Sequence, residues 1–403
     1  MAEEYVVIRI NRTSGTSRGS GPRRGGPTLG PSGTHEQTES LDVNVVTGRQ
    51  ALAKAKADPD VKASARSMPM KLIAPVSTKA VATEPSGAAL AAKVAWGVHA
   101  VGADTSSFDG TGVVVAVLDT GIDRKHPAFK GVELIEKDFT GDGDGDVVGH
   151  GTHCAGTIFG RDVDGMRIGI ARGVTKALIG KVIGNDGGTS AQIASAIQWA
   201  IENKASVISM SLGIDFPGYQ AQLEQGGLRP EPATSLALEA YRQNLAVFDS
   251  VSELVASLAR FLQPCLLIAA AGNESGRREV PPFEIAASPP AVSEGFVSVA
   301  ALQEGPEGFA VADFSNIGAK VSGPGVGVIS AKIGGGLISM DGTSMATPHV
   351  AGVAALWAQK LGQERKLTAS QFSAELIASA TTSTLHPSST LEAVGAGIVR
   401  APQ

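Results

Sequence analysis

The chain has 403 residues, 43% of them hydrophobic and 18% charged, with a formal net charge of -5. That length admits one large domain with a small one beside it, and the composition excludes a disordered chain. The mild acidic balance excludes the basic footprint of a nucleic-acid binder, and no apolar run approaches the roughly 20 residues of a membrane-spanning helix.

From the N-terminus, Met1-Ala2-Glu3-Glu4 opens the chain without a basic leader or a long apolar core. No secretory signal is read there, and the chain is expected to be soluble and cytoplasmic at synthesis, export by another route staying open. Residues 5–10 (YVVIRI) predict a strand, and the Gly-, Ser- and Arg-rich residues 11–40 a loose loop. A short apolar run at 41–46, an Ala/Lys-rich helix near 49–57 and a strand near 68–76 complete a small α+β unit, residues 1–76. Residues 77–92 read as a linker.

From residue 93 to 403 the pattern is that of a large α/β domain. Apolar runs at 113–118, 177–182, 207–210, 266–271 and 296–300 predict strands covered on both faces, with a helix over about 189–203 between two of them. Strands separated by helices predict a doubly wound, mainly parallel sheet with helices on both faces, whose chemistry collects at the C-terminal strand ends. Two cysteines, Cys154 and Cys265, are too few for a disulfide framework and are expected to be free thiols.

Four short motifs carry the chemistry. In VAVLDTGID (115–123), Asp119 falls where an apolar strand ends, a place also taken by turn-closing aspartates. In GHGTHCAG (149–156), His150 lies among small residues. His153, three residues on, invites a zinc reading that lacks a third ligand. In AAAGNES (269–275), Asn273 follows a strand and is by itself an ordinary turn asparagine. In DGTSMATPHVAG (341–352), Ser344 opens a helix running to about Lys360, with Pro348 in its first turn. A helix N-terminus offers free N–H groups to a developing oxyanion, although a serine there also serves as a cap.

Taken together, in the order Asp, His, Asn, Ser, these motifs resemble the subtilases, the subtilisin-like serine proteases. VISMSLG (207–213), the FSN to GPG run (314–325) and GAGIV (395–399) extend the resemblance from about Trp96 to the C-terminus. The resemblance implies a triad of Asp119, His150 and Ser344, with Asn273 as oxyanion donor. It implies that Ser211, Leu212 and Gly213 pair with extended protein or peptide substrates, and that Ala270, Ala271 and Gly272 wall the pocket for the residue before the cut. Residues 1–76 resemble the propeptide of these enzymes, implying a self-processing zymogen cut in the 75–95 region and held by its own N-terminal domain. A peptide ligase or macrocyclase of the same fold, or a binding module blocked by its propeptide, stays open beside the endopeptidase.

Several features depart from the compact members. Residues 214–264 form an insertion with helical apolar spacing, expected to pack on the domain, with a lid or an oligomer contact as alternatives. Glu284 is considered as a carboxylate at the pocket floor. DGDGD (142–146) fails the EF-hand pattern, and no cofactor is required. The resemblance still allows a structural calcium near Asp146. It also places Cys154 as a buried thiol near the catalytic His.

Overall fold

The computed structural model describes residues 3–14, 37–76, 93–259, 261–364 and 368–403. The linker expected at 77–92, with most of the cut region placed there, and the centre of the 11–40 loop lie outside the described residues.

The N-terminal unit is a three-stranded antiparallel sheet, β2-β1-β3, with one helix. β1 is Glu4–Ser14, β2 Gln37–Thr47, α1 Arg49–Lys56 and β3 Val61–Arg66. The hairpin arms of β1 and β2 reach further into 11–40 than the loop reading allowed, because the pairing continues to Ser14 with Gln37. β3 (VKASAR) was not expected, its polar residues hiding the alternation. The strand expected near 68–76 is short: β4 spans Pro69–Leu72 and leaves this sheet altogether.

The large unit is built on a sheet in the order β13-β12-β11-β9-β5-β7-β6, with β14 also paired to β12. Its strands are β5 Val114–Asp119, β6 Glu133–Asp138, β7 Lys176–Lys181, β9 Val207–Met210, β11 Leu266–Ala270, β12 Phe296–Gln303, β13 Ala310–Val311 and β14 Val321–Pro324. All neighbours are parallel except β12 with β13. The order reverses at β5, with β7 and β6 laid to one side and β9, β11 and β12 to the other. Such a reversal opens a crevice beyond the strand ends.

Alternation along the strands feeds two cores. Val115 and Val117 of β5 join one cluster with helix α2 (His150–Phe159) and with residues of α6 (Thr343–Glu364). Ala116 and Leu118 join another with α3 (Ser190–Glu202) and α5 (Pro230–Leu258). Helices therefore cover both faces, as the apolar runs require. The insertion supplies two helices, α4 (Phe216–Gln225) and α5. α5 packs on the N-terminal sheet as well as on the domain, with Asn244 Nδ2 donating to the Arg66 carbonyl at 2.8 Å. Among the described residues no helix is long and apolar enough to cross a membrane.

Candidate active site

Asp119 is the last residue of β5 and His150 the first of α2. His150 Nδ1 donates to Asp119 Oδ1 at 2.8 Å, and both side chains are buried. Two glycines permit that approach. A Cβ on Gly151 would stand 2.2 Å from the Gly121 carbonyl oxygen; Gly121 has φ +107°, and a Cβ there would stand 2.3 Å from the Gly145 oxygen. The helix start thus rests on the turn that leaves the strand. Burial opposes a charge on His150, but the Asp119 carboxylate, helped by Cys154, raises the imidazole well above its ordinary 6.5. His150 Nε2 is buried without a hydrogen-bond partner in the structure.

Asn273 follows β11 at the next strand ends. Its Oδ1 accepts from Thr343 N at 2.9 Å and Thr343 Oγ1 at 2.8 Å, which fixes the direction of the amide. Nδ2 then donates to the Ala74 carbonyl at 2.9 Å. Gly342 leaves open a point 3.1 Å from Asn273 Nδ2 and 3.6 Å from Ser344 N. Ser344, the second residue of α6, donates its hydroxyl to the Ile73 carbonyl at 2.6 Å. Cys154 lies between these groups, its Sγ 3.8 Å from His150 Nδ1 and 3.5 Å from the Ser344 carbonyl oxygen. Both cysteines are free and buried.

The groove is occupied by the chain itself. β4 is the middle strand of a three-stranded sheet, with β10 (Leu212–Ile214) on one side and β8 (Gly188–Thr189) on the other. Leu72 and Lys71 pair antiparallel with Leu212 and Gly213, and Ile73 N donates to the Ser211 carbonyl at 3.2 Å. The Ile73 side chain passes close to Gly213, where an added Cβ would lie 3.7 Å from its Cδ1 and 3.1 Å from Ser288 Oγ. Ala270 ends β11, and Ala271 and Gly272 lead from it into Asn273. The sequence reading missed the occupant, Ser288 and Thr343. Ile73 and Ala74 carry no motif, and Thr343 stood in one without a role of its own.

Three minor readings of the sequence concern groups near this site. Glu284 is exposed at the surface and pairs with Arg277 at 2.9 Å, and the polar atom nearest Gly213 is Ser288 Oγ rather than a carboxylate. His153 turns away from His150, its Nε2 donating to the Val328 carbonyl at 3.0 Å. Burial lowers its pKa to about 3 and keeps the ring neutral, and among the described residues His153 belongs to no group of three metal-ligating side chains. Asp146 accepts five hydrogen bonds, from Thr120 Oγ1, Val148 N, Gly149 N, Thr152 N and Thr152 Oγ1. The Lys181 ammonium meanwhile donates to the Gly143 and Gly145 carbonyls. A carboxylate saturated by donors, beside carbonyls already served by a lysine, does not fit a calcium ligand set.

Comparison with known proteins places the family. Residues 110–397 match the Subtilase family of peptidases. The chain is 32% identical over 330 residues to the "Thermostable alkaline protease" of Halalkalibacterium halodurans, a match covering 80% of this chain and 73% of that protein. It is 33% identical over 279 residues to "Subtilisin-like protease 1" of Trichophyton rubrum, covering 64% of this chain and 46% of that protein. With the protein of the same name from Arthroderma gypseum it shares 35% over 261 residues, 62% of this chain and 44% of that one. The chain thus spans less than half the length of these two fungal relatives. With the family match covering most of its length, the chain belongs to the subtilase family, the subtilisin-like serine peptidases.

Proposed function

We propose that the chain is a serine endopeptidase made as a zymogen, which hydrolyses peptide bonds in extended protein segments and first cuts itself between Ile73 and Ala74. The observation that carries this reading is residues 69–76 lying in the groove, with the Ile73 carbonyl on the Ser344 hydroxyl. Ser344 Oγ attacks the carbonyl carbon while its proton passes to His150 Nε2, the atom left without a partner. Asp119 holds the tautomer with Nδ1–H towards itself and stabilises the imidazolium. Asn273 Nδ2 and Ser344 N–H receive the oxyanion, replacing the Ala74 carbonyl that Asn273 now serves. His150 returns the proton to the leaving amine, the C–N bond breaks, and water hydrolyses the acyl-enzyme by the same relay.

In the uncut state the groove is closed to other substrates, and the nucleophile's hydrogen is held by Ile73 rather than by His150. N-terminal sequencing and intact mass after incubation test the proposal. The wild type is expected to yield a new terminus at Ala74, and Ser344→Ala is expected to stay whole. A fluorophosphonate should then label the processed wild type and spare the alanine variant. An intact Met1 terminus on fully active protein would overturn the zymogen part, and labelling independent of Ser344 the catalytic part.

A further inference from the structure

The segment in the groove carries one charged side chain in register with β10, and the enzyme meets it from two sides. Lys71 pairs with Gly213, two residues before Ile73. Its ammonium lies 3.5 Å from Asp215 Oδ1 and 3.6 Å from Glu274 Oε1. These acids come from opposite walls. Asp215 caps α4 of the insertion, accepting from Gly218 N at 3.3 Å. Glu274 follows the oxyanion asparagine and accepts from Asn316 Nδ2 at 2.8 Å. Each carboxylate is therefore held by its own wall, independently of the lysine. Beside Lys71 lies a cleft of about 340 Å³, lined by Ile214, Phe216 and Tyr241 among others. An apolar wall beside two fixed carboxylates suits a side chain with an aliphatic stem and a cationic head.

We infer that Asp215 and Glu274 form the subsite for the third residue before the cut and select Lys or Arg there in protein substrates. The inference rests on the endopeptidase reading and on Ile73 as the residue before the cut. Lys71 is then the first basic residue that this subsite holds. Because Lys71 and Glu274 are both about two-fifths exposed, the preference is modest and screened by salt. Discrimination arises on both sides, since an acidic side chain at this position meets two like charges.

Processed enzyme is assayed with quenched peptides that differ only at the third residue before the cut, as Lys, Arg, Gln or Glu, with product masses placing the cut. Lys and Arg are expected to exceed Gln in kcat/KM by about three- to tenfold at low salt, with Glu below Gln. Raising the salt to about 1 M is expected to shrink the ratio. In the Asp215→Asn/Glu274→Gln double variant the Lys-to-Gln ratio, read within that enzyme, is expected to fall towards one. Equal rates for all four peptides in the wild type, or a ratio untouched by the double variant, overturns the inference while leaving the protease reading intact. Hydrolysis of none of the peptides overturns the protease reading itself. The wild-type series and its salt dependence decide the matter even where the double variant does not fold.

Discussion

Asn273 is held at its Oδ1, and its Nδ2 is the end the proposed oxyanion role would use. Thr343 takes both hydrogen bonds at Oδ1, so Nδ2 faces the groove without needing a substrate to turn it. Such preorganisation matters most in the transition state, when the carbonyl oxygen becomes charged. Asn273→Ala is expected to lower kcat by about 10²- to 10³-fold with little change in KM, the magnitude known for the equivalent change in subtilisin. Steady-state kinetics on the processed variant check it, and a loss confined to KM would remove the oxyanion role. His150 gives a prediction of a different kind. Its pKa lies well above 6.5 because the Asp119 carboxylate overcomes the burial that opposes its charge. A general base works only when neutral, so raising its pKa moves the acid limb of activity upward. The pH profile of kcat/KM is expected to rise through a midpoint above 6.5. Asp119→Asn is expected to shift that midpoint down while costing about 10⁴-fold in rate, since the tautomer is then wrong. A wild-type midpoint at or below 6.5 would separate the imidazole from its carboxylate.

At the scale of elements, the site depends on α2 lying almost against the turn after β5. An alanine at position 151 would put its Cβ 2.2 Å from the Gly121 oxygen and 3.2 Å from the Asp119 Cβ. The helix has to lift, and His150 leads it. Gly151→Ala is expected to cost about 1–3 kcal/mol of stability and, through a displacement of about 1 Å, about 10²-fold in activity. Gly362→Ala, in α6 with nothing within 4 Å of its Cβ position, serves as the clash-free control, expected to keep its activity and to gain up to about 1 kcal/mol in melting. These elements differ in how plainly the sequence announces them. The inner strands β5, β7, β9 and β11 are legible as apolar runs because both faces are buried. β6 (ELIEKD) is not, since an edge strand needs fewer apolar residues, and charges at Glu133, Glu136 and Lys137 break its pattern. Asp119, His150, Asn273 and Ser344 are legible because each sits in a short motif at an element end. Asp215 and Glu274 are not, because their relation to Lys71 exists only once the insertion and β4 have met across the groove. The Glu284 reading fails for a similar reason: Arg277, seven residues earlier, takes the carboxylate through a turn that no local pattern specifies.

At the scale of the whole molecule, the two units share apolar surface rather than merely touching. Val6, Ile8, Met68 and Met70 of the N-terminal unit are buried in one cluster with Ile193, Ile197 and Val247 of α3 and α5. Each such side chain contributes about 1.5–3 kcal/mol relative to exposure, so the groove-filling strand is anchored by far more than its own hydrogen bonds. A cut at Ile73–Ala74 leaves that anchor in place, which predicts that the severed N-terminal unit stays bound until something loosens the fold. Acid is one such agent. His153 and His349 are buried neutral, burial lowering their pKa values to about 3 and about 4. The unfolded chain protonates both near 6.5. Between 6.5 and about 4 the unfolded state therefore binds more protons than the folded one, and stability falls as pH falls. Each histidine contributes a slope of about 1.4 kcal/mol per pH unit inside that window. His150 does not offset the loss there, since a raised pKa leaves its contribution complete below 6.5 and declining only above it. Asp249 and Glu136, whose carboxyls burial pushes upward, act in the opposite sense, whereas Glu3, Asp109 and Asp138, whose carboxyls hydrogen bonds hold low, act with the histidines. Urea unfolding of the uncut Ser344→Ala chain at pH 6.5, 5.5 and 4.5 measures the balance. The midpoint is expected to drop at each step, beginning between 6.5 and 5.5. A midpoint constant across that upper interval would mean that the two imidazoles reach water in the native protein, contrary to their full burial.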